Sequence, residues 1–222
     1  TSIAHVDSTG KSPLGYMQDV TDTEQGVLYA DTQGRLVFHN RSRGYIVPAA
    51  TAAVDATLLG AEAQFLGNLF GVTNDATGHR DGGAEQKFTD VLSRGAYGPL
   101  SKDMTLLVTS DDEVASAIQW LVNTHKDPMP RLVSSSLDAY TSRDDQAELR
   151  ALDVDSRLDI TGLPTPQAPA ATTVLRVNGY SERISETGWD IAPSTSSFAN
   201  LQAFILDDAM YGALDSDNVL AY

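Results

Sequence analysis

Residues 152–191 contain strands and no helix, and this stretch most narrows the folds open to the chain. Leu152-Asp-Val-Asp-Ser-Arg-Leu-Asp-Ile reads as one short strand, followed by a Pro/Ala spacer. Thr172-Thr-Val-Leu-Arg-Val-Asn-Gly-Tyr-Ser-Glu-Arg-Ile then reads as the first of two strands that reverse near Ser185 to Gly188. β-branched and aromatic residues here suit a pleated, half-buried surface.

A well-specified helix stands before this block, over 110–124. Ser110 and Glu113 have the spacing of a capping box, and Asp111 and Asp112 add negative charge at the positive end of the helix dipole. Val114, Ala117, Ile118, Leu121 and Val122 recur at the helical period and form one apolar stripe. His125 and Lys126 suit the C-terminal end, and Asp127-Pro128 closes it. The expected fold class is α+β and β-rich: a β-domain stapled by one helix, with hairpins and short helices around it.

Upstream, Ser12-Pro13 starts a helix whose left-handed stop is expected at Gly26. Strands are expected over 27–30 and 35–39, turning through Asp31 to Gly34. Residues 51–59 read as either a short helix or extended chain. Further expectations are a strand over 69–74, a turn at Asp81-Gly82-Gly83, and a helix over 89–97 stopped by Gly98-Pro99. Strands over 104–108 and 132–137 and a polar helix or turn over 142–150 complete this part. Residues 198–222 read as short β segments. In domain terms, 1–100 is a helix-hairpin and connecting β region, 101–197 a β-domain with helix, and 198–222 a C-terminal β extension.

The net charge of −15, from 30 acidic and 15 basic residues, repels phosphate backbones. Sequence-specific nucleic-acid binding and stable association with anionic membranes are therefore not expected. No stretch has the roughly 18 consecutive apolar residues of a membrane helix. The absence of cysteine removes disulfides, thiolate metal sites and a thiol nucleophile. The first residues carry neither a signal-peptide pattern nor an initiator Met, so a fragment or mature portion of a longer chain is expected.

Catalytic and metal-binding patterns are weak. Gly10-Lys11-Ser12 resembles the end of a phosphate loop, but the earlier glycine that loop needs is His5, and a helix cap explains Ser12 better. His5, His39, His79 and His125 stand singly, none at metal-ligand spacing. No Gly-x-Ser-x-Gly elbow is present. Carboxylates cluster at Asp111/Asp112/Glu113, Asp144/Asp145, Asp207/Asp208 and Asp215/Asp217. The last cluster, with Asn218, fails the EF-hand pattern and reads as a solvated turn. No catalytic residue, cofactor or metal is expected. Trp189 is expected to fill a β core. Trp120 lies off the apolar stripe, among Ser116, Gln119 and Asn123. Its cover is either the chain itself or a neighbouring subunit, and it is the candidate subunit-interface residue.

Four stretches in order resemble minor tail proteins of long-tailed, siphovirus-like phages of actinobacteria. They are Thr21-Asp-Thr-Glu-Gln-Gly-Val-Leu-Tyr-Ala-Asp-Thr-Gln-Gly-Arg-Leu-Val-Phe, Phe70-Gly-Val-Thr-Asn-Asp through Tyr97-Gly, Leu107-Val-Thr-Ser-Asp-Asp-Glu-Val through Pro130-Arg131, and the block 152–196. The last is also similar to the equivalent region of contractile-tail hubs. Gln25-Gly26 stands where the family carries Gly-Gly before Val-Leu-Tyr. The resemblance implies a tail-tube-like β-domain and a non-enzymatic virion protein of the tail tip, or baseplate hub. Such a protein would form part of a ring, with a trimer favoured, that closes the distal tail and supports host attachment and DNA passage. The implied partners are distal tail, tape-measure and receptor-binding proteins. An acidic lumen wall would keep passing DNA from sticking. The alternative is a carbohydrate-binding β-module with stacking platforms among Trp120, Tyr140, Tyr180 and Tyr211, against which an aromatic content of 7% weighs. A cell-wall hydrolase is the third reading, and it lacks a metal triad, elbow or thiol.

Overall fold

A computed structural model describes residues 2–4, 10–41, 43, 49–67, 69–129, 131–133, 135–164 and 171–197. The β segments expected over 198–222 lie outside the described residues, as do the carboxylates of that stretch, Tyr211 and His5.

The fold is α+β and β-rich. Helix α1 (Pro13–Glu24) precedes a hairpin of β1 (Val27–Ala30) and β2 (Leu36–His39). Strand β3 (Ala52–Asp55) runs into a 3-10 turn at Ala56–Leu58, so the segment left open between helix and strand is extended first and then coiled. After β4 (Gln64–Leu66) come β5 (Asp75–His79), β6 (Gln86–Thr89), α2 (Val91–Tyr97) and β7 (Ser101–Thr105). Helix α3 (Asp111–His125), β8 (Arg131–Val133), β9 (Leu137–Asp138) and α4 (Gln146–Arg150) follow. The chain then forms β10 (Arg157–Thr161), β11 (Thr173–Ser185) and β12 (Gly188–Ser197).

The three C-terminal strands form the centre of a five-stranded sheet in the order β3-β10-β11-β12-β9. β3 joins it parallel to β10, and the other pairs are antiparallel. Its inner face holds the larger core, with Val54, Leu137, Leu149, Leu158, Ile160, Leu175 and Ile191 all essentially sealed from solvent. A bulge between Val177 and Gly179 ends the buried half of β11, and residues 181–185 at the far end of that strand are exposed. Trp189 packs partly against this core, and the Arg150 guanidinium lies 5.5 Å from its ring centroid.

A second sheet, β6-β5-β7, is covered by α3. The expected helix is thus present with its stripe buried, but the sheet beneath it is not the C-terminal one. Gly78 on β5 makes the contact close: a Cβ there would sit 2.6 Å from Ile118 Cγ2 and 3.0 Å from Val114 Cγ1. Both multi-stranded sheets draw strands from either side of residue 100.

Several local expectations shift. The left-handed stop of α1 is Gln25 (φ 51°), not Gly26. Gly26 is needed for space instead, since a Cβ there would lie 2.3 Å from the His39 carbonyl oxygen. No strand occupies 69–74: Gly71 (φ 86°) breaks the extended path, and pairing begins at Asp75. Helix α2 begins after its cap Asp90, because Thr89 is still paired in β6. The strand expected over 104–108 starts earlier and ends at Thr105, although Val108 bridges to Ile3. The strand expected over 132–137 is two strands, one paired with β4 and one with β12.

Candidate functional site: a charged seam and its surroundings

The turn before β10 places Asp155 in the left-handed region (φ 65°), where an Asp is tolerated better than most residues. Its N–H donates to the Val177 carbonyl at 2.7 Å, which tilts the carboxylate into the seam between the β1–β2 hairpin and the main sheet. There His39 Nδ1 lies 2.6 Å from Oδ2, Arg43 Nε donates to the same oxygen at 2.9 Å, and Arg176 Nε lies 3.3 Å from Oδ1. The Asp155 side chain is 3% exposed. One carboxylate therefore gathers three basic groups, from the hairpin, the segment after it and β11. Burial draws the Arg176 guanidinium below its ordinary pKa, and the opposing charge of Asp155 pulls it back up.

The same seam holds the junction with α3. The left-handed backbone of Gln25 sends its side chain across, and Nε2 donates to the Ala117 carbonyl at 3.0 Å. Trp120 lines a narrow pocket here with Gln25, His39, Arg43 and Asp155, and its ring meets His125 edge-on at 6.4 Å between centroids. The chain itself thus covers part of Trp120. Thr32 N–H donates to Asp153 Oδ2 at 3.3 Å and ties the hairpin tip to the same turn.

A second polar junction anchors β5, β6, α2 and β7. Asn74 is fully buried: its amide donates to the Ser93 hydroxyl and the Gly98 carbonyl and accepts from Leu100 N–H. Thr89 and Ser101 hydroxyls donate to Asp75, with Lys87 Nζ at 3.3 Å and Arg94 at 3.8 Å. The Thr89 hydroxyl, with Lys87, holds the Asp75 carboxyl below the usual carboxylate value.

The remaining sequence candidates are accounted for by local structure. Ser12 caps α1 and Lys11 pairs with Asp19, so Gly10-Lys11-Ser12 is a helix start. Ser110 Oγ accepts from Glu113 N–H at 3.2 Å, and Glu113 reaches back to Thr109 N–H at 3.2 Å. Asp111 also bonds Arg80 at 2.6 Å, pinning the β5–β6 turn to α3. His79 Nε2 lies 3.0 Å from the Thr105 hydroxyl. His125 stands in the last turn of α3, as the dipole reading expects. Burial is the main influence on its ring and lowers its pKa, and its Nδ1 faces the Thr124 hydroxyl at 2.7 Å. Among the described residues, no three His, Asp or Glu side chains converge as metal ligands. No described helix is long and apolar enough to cross a membrane. Of the aromatic platforms, Tyr140 is exposed, whereas Tyr180 is half-buried against the main core.

The Asp155 cluster escaped the sequence reading. Its members stand at 39, 43, 155 and 176, and the run Leu152 to Ile160 shows only a strand with scattered carboxylates.

No protein-family model matches the chain, and no curated protein does. Among solved structures, the fold is similar to the 43 kDa tail protein of prophage MuSo2 from Shewanella oneidensis. The TM-score is 0.54 at 14% identity, over 86% of this chain and 54% of that one. It is likewise similar to a tail protein from Neisseria meningitidis MC58, with a TM-score of 0.54 at 10% identity, over 87% of this chain and 57% of that one. The chain spans a little over half the length of these neighbours, and at such identities the likeness is one of fold.

Proposed function

We propose that this chain is a non-enzymatic structural part of a phage tail, located at the tail tip or baseplate hub. The observation that carries the proposal is a β-rich α+β fold similar, over 86–87% of the chain, to those of two tail proteins, one of them from a prophage. The order of motifs in the sequence supports the same reading. Its buried polar groups serve as struts: the Asp155 and Asp75 clusters hold hairpin, helix and sheets to one another. In this reading the chain forms part of a homo-oligomeric ring, with a trimer favoured, that contacts distal tail, tape-measure and receptor-binding proteins. The net charge of −15 suits a wall past which DNA must slide without adhering.

The test is to label the chain in purified virions from its source and locate it by electron microscopy. Label at the distal tail end supports the hub reading. Label along the shaft makes it a tube component, and no label on any virion refutes a structural tail role.

A further inference from the structure

Of the chain's seven asparagines, only Asn178 is followed by glycine. The pair sits at the bulge of β11. Val177 lies opposite Thr195 and Gly179 opposite Ser194, so Asn178 is the extra residue and faces no residue of β12. Asn178 is exposed, and the space where a Cβ of residue 179 would stand has no atom within 4 Å.

Three features favour attack by the Gly179 backbone nitrogen on the side-chain carbonyl carbon of Asn178. Glycine puts no side chain in the path of approach and leaves the backbone free to turn. The Ser196 hydroxyl donates to Asn178 Oδ1 at 3.1 Å and draws electron density from Cγ, the atom attacked. Strand β10 pairs with β11 only through residues 173–176, so from Asn178 onward β11 is paired with β12 alone among the described residues. A two-stranded ribbon is marginal by itself and opens locally, which frees the Gly179 N–H from its pairing with Ser194.

We infer that Asn178 is a site of spontaneous covalent modification, in which a succinimide forms and opens to aspartate and isoaspartate. The Gly179 nitrogen loses its proton and bonds to Cγ, the Cγ–Nδ2 bond breaks, and the amide leaves as ammonia. Water then adds to one of the two ring carbonyls. Opening at Cγ leaves aspartate in an unaltered backbone, and opening at the backbone carbonyl leaves isoaspartate, with the chain running through the former side chain. Either product takes the net charge from −15 to −16, in a cleft lined by Arg131 and Arg176, with Asp127 the one acid among its lining residues. Isoaspartate also adds a backbone carbon where the register already slips, and so shifts the pairing of the exposed end of the hairpin. The inference is independent of where in a virion the chain sits.

The test is a time course on the native protein in mildly alkaline buffer, which favours loss of the Gly179 proton. Trypsin cuts after Arg176 and Arg183 and releases residues 177–183 for mass measurement. The expected result is conversion of this peptide to two acid forms ahead of every peptide carrying another asparagine, one form being a substrate for an isoaspartyl methyltransferase. Gly179→Ala is expected to slow the conversion severalfold, and the open space at that position keeps the fold, which a melting curve verifies. A peptide that keeps its amide in the folded protein overturns the inference, and conversion only after unfolding in urea would identify the ladder as its protector. Aspartate alone, or a rate unchanged by Gly179→Ala, also overturns it, since each indicates direct hydrolysis of the side-chain amide.

Discussion

Replacing Asp155 with Asn keeps the shape and the tolerance for left-handed backbone but removes the negative charge that gathers His39, Arg43 and Arg176. Breaking a fully buried ion pair costs about 3–5 kcal/mol, because the surviving charge is left in a poor medium. Here the carboxylate is 3% exposed, but His39, Arg176 and Arg43 are 22%, 25% and 48% exposed, and water compensates part of the loss. The expected destabilisation is therefore about 2–3 kcal/mol, mostly from the Arg176 ion pair, with the weakened contact to His39 Nδ1 adding to it. Asp155→Ala is expected to cost about 1 kcal/mol more, since Ala at φ 65° adds backbone strain. Urea titration followed by tryptophan fluorescence is the assay, because Trp120 lines the same seam and reports release of the hairpin. For a chain of this size, the Asn variant is expected to melt roughly 4–12 °C below the parent. Asn and parent proteins agreeing within about 0.5 kcal/mol would refute the view that this cluster holds the seam together.

Gly78→Ala should destabilise by about 1–3 kcal/mol, because its Cβ would press on Ile118 and Val114; calorimetry would show it as a lower Tm. Gly95→Ala, inside α2 with open space around it, should instead stabilise by about 0.4–1 kcal/mol, so the pair separates packing from propensity. Ser110→Ala removes the hydroxyl that accepts Glu113 N–H and should cost about 1 kcal/mol by urea melts at neutral pH. Asp75, Asp90 and Asp111 all have carboxyls held below the ordinary value, by the Thr89 hydroxyl, the Ser93 N–H and the Ala84 N–H respectively. Groups lowered in the folded state stabilise it above their unfolded pKa, so stability should hold near neutrality and fall as pH drops below about 4. The lowered pKa of His125 adds a loss in the same direction as pH falls through about 6.5, and a pH series of melts is the check.

What the sequence alone determined was whatever depends on neighbours within a few residues. The caps at Ser12 and Ser110 depend on side chains three positions from the N–H they accept. The turn at Asp31 to Gly34 depends on an Asp acceptor and a glycine with φ 75°, and the α3 stripe on the helical period. The β11–β12 hairpin is equally local. Tertiary structure alone decided which strands pair across long separations. Ala52 lies beside Leu158, and residues 131–133 and 137–138 answer to different partners. It also decided that Gln25, not Gly26, takes the left-handed turn, because the space at Gly26 is filled by His39 and Phe38. The Asp155 cluster belongs to this second kind. A carboxylate attracts cations through space, and no spacing along the chain records that residues 39, 43 and 176 will converge on it.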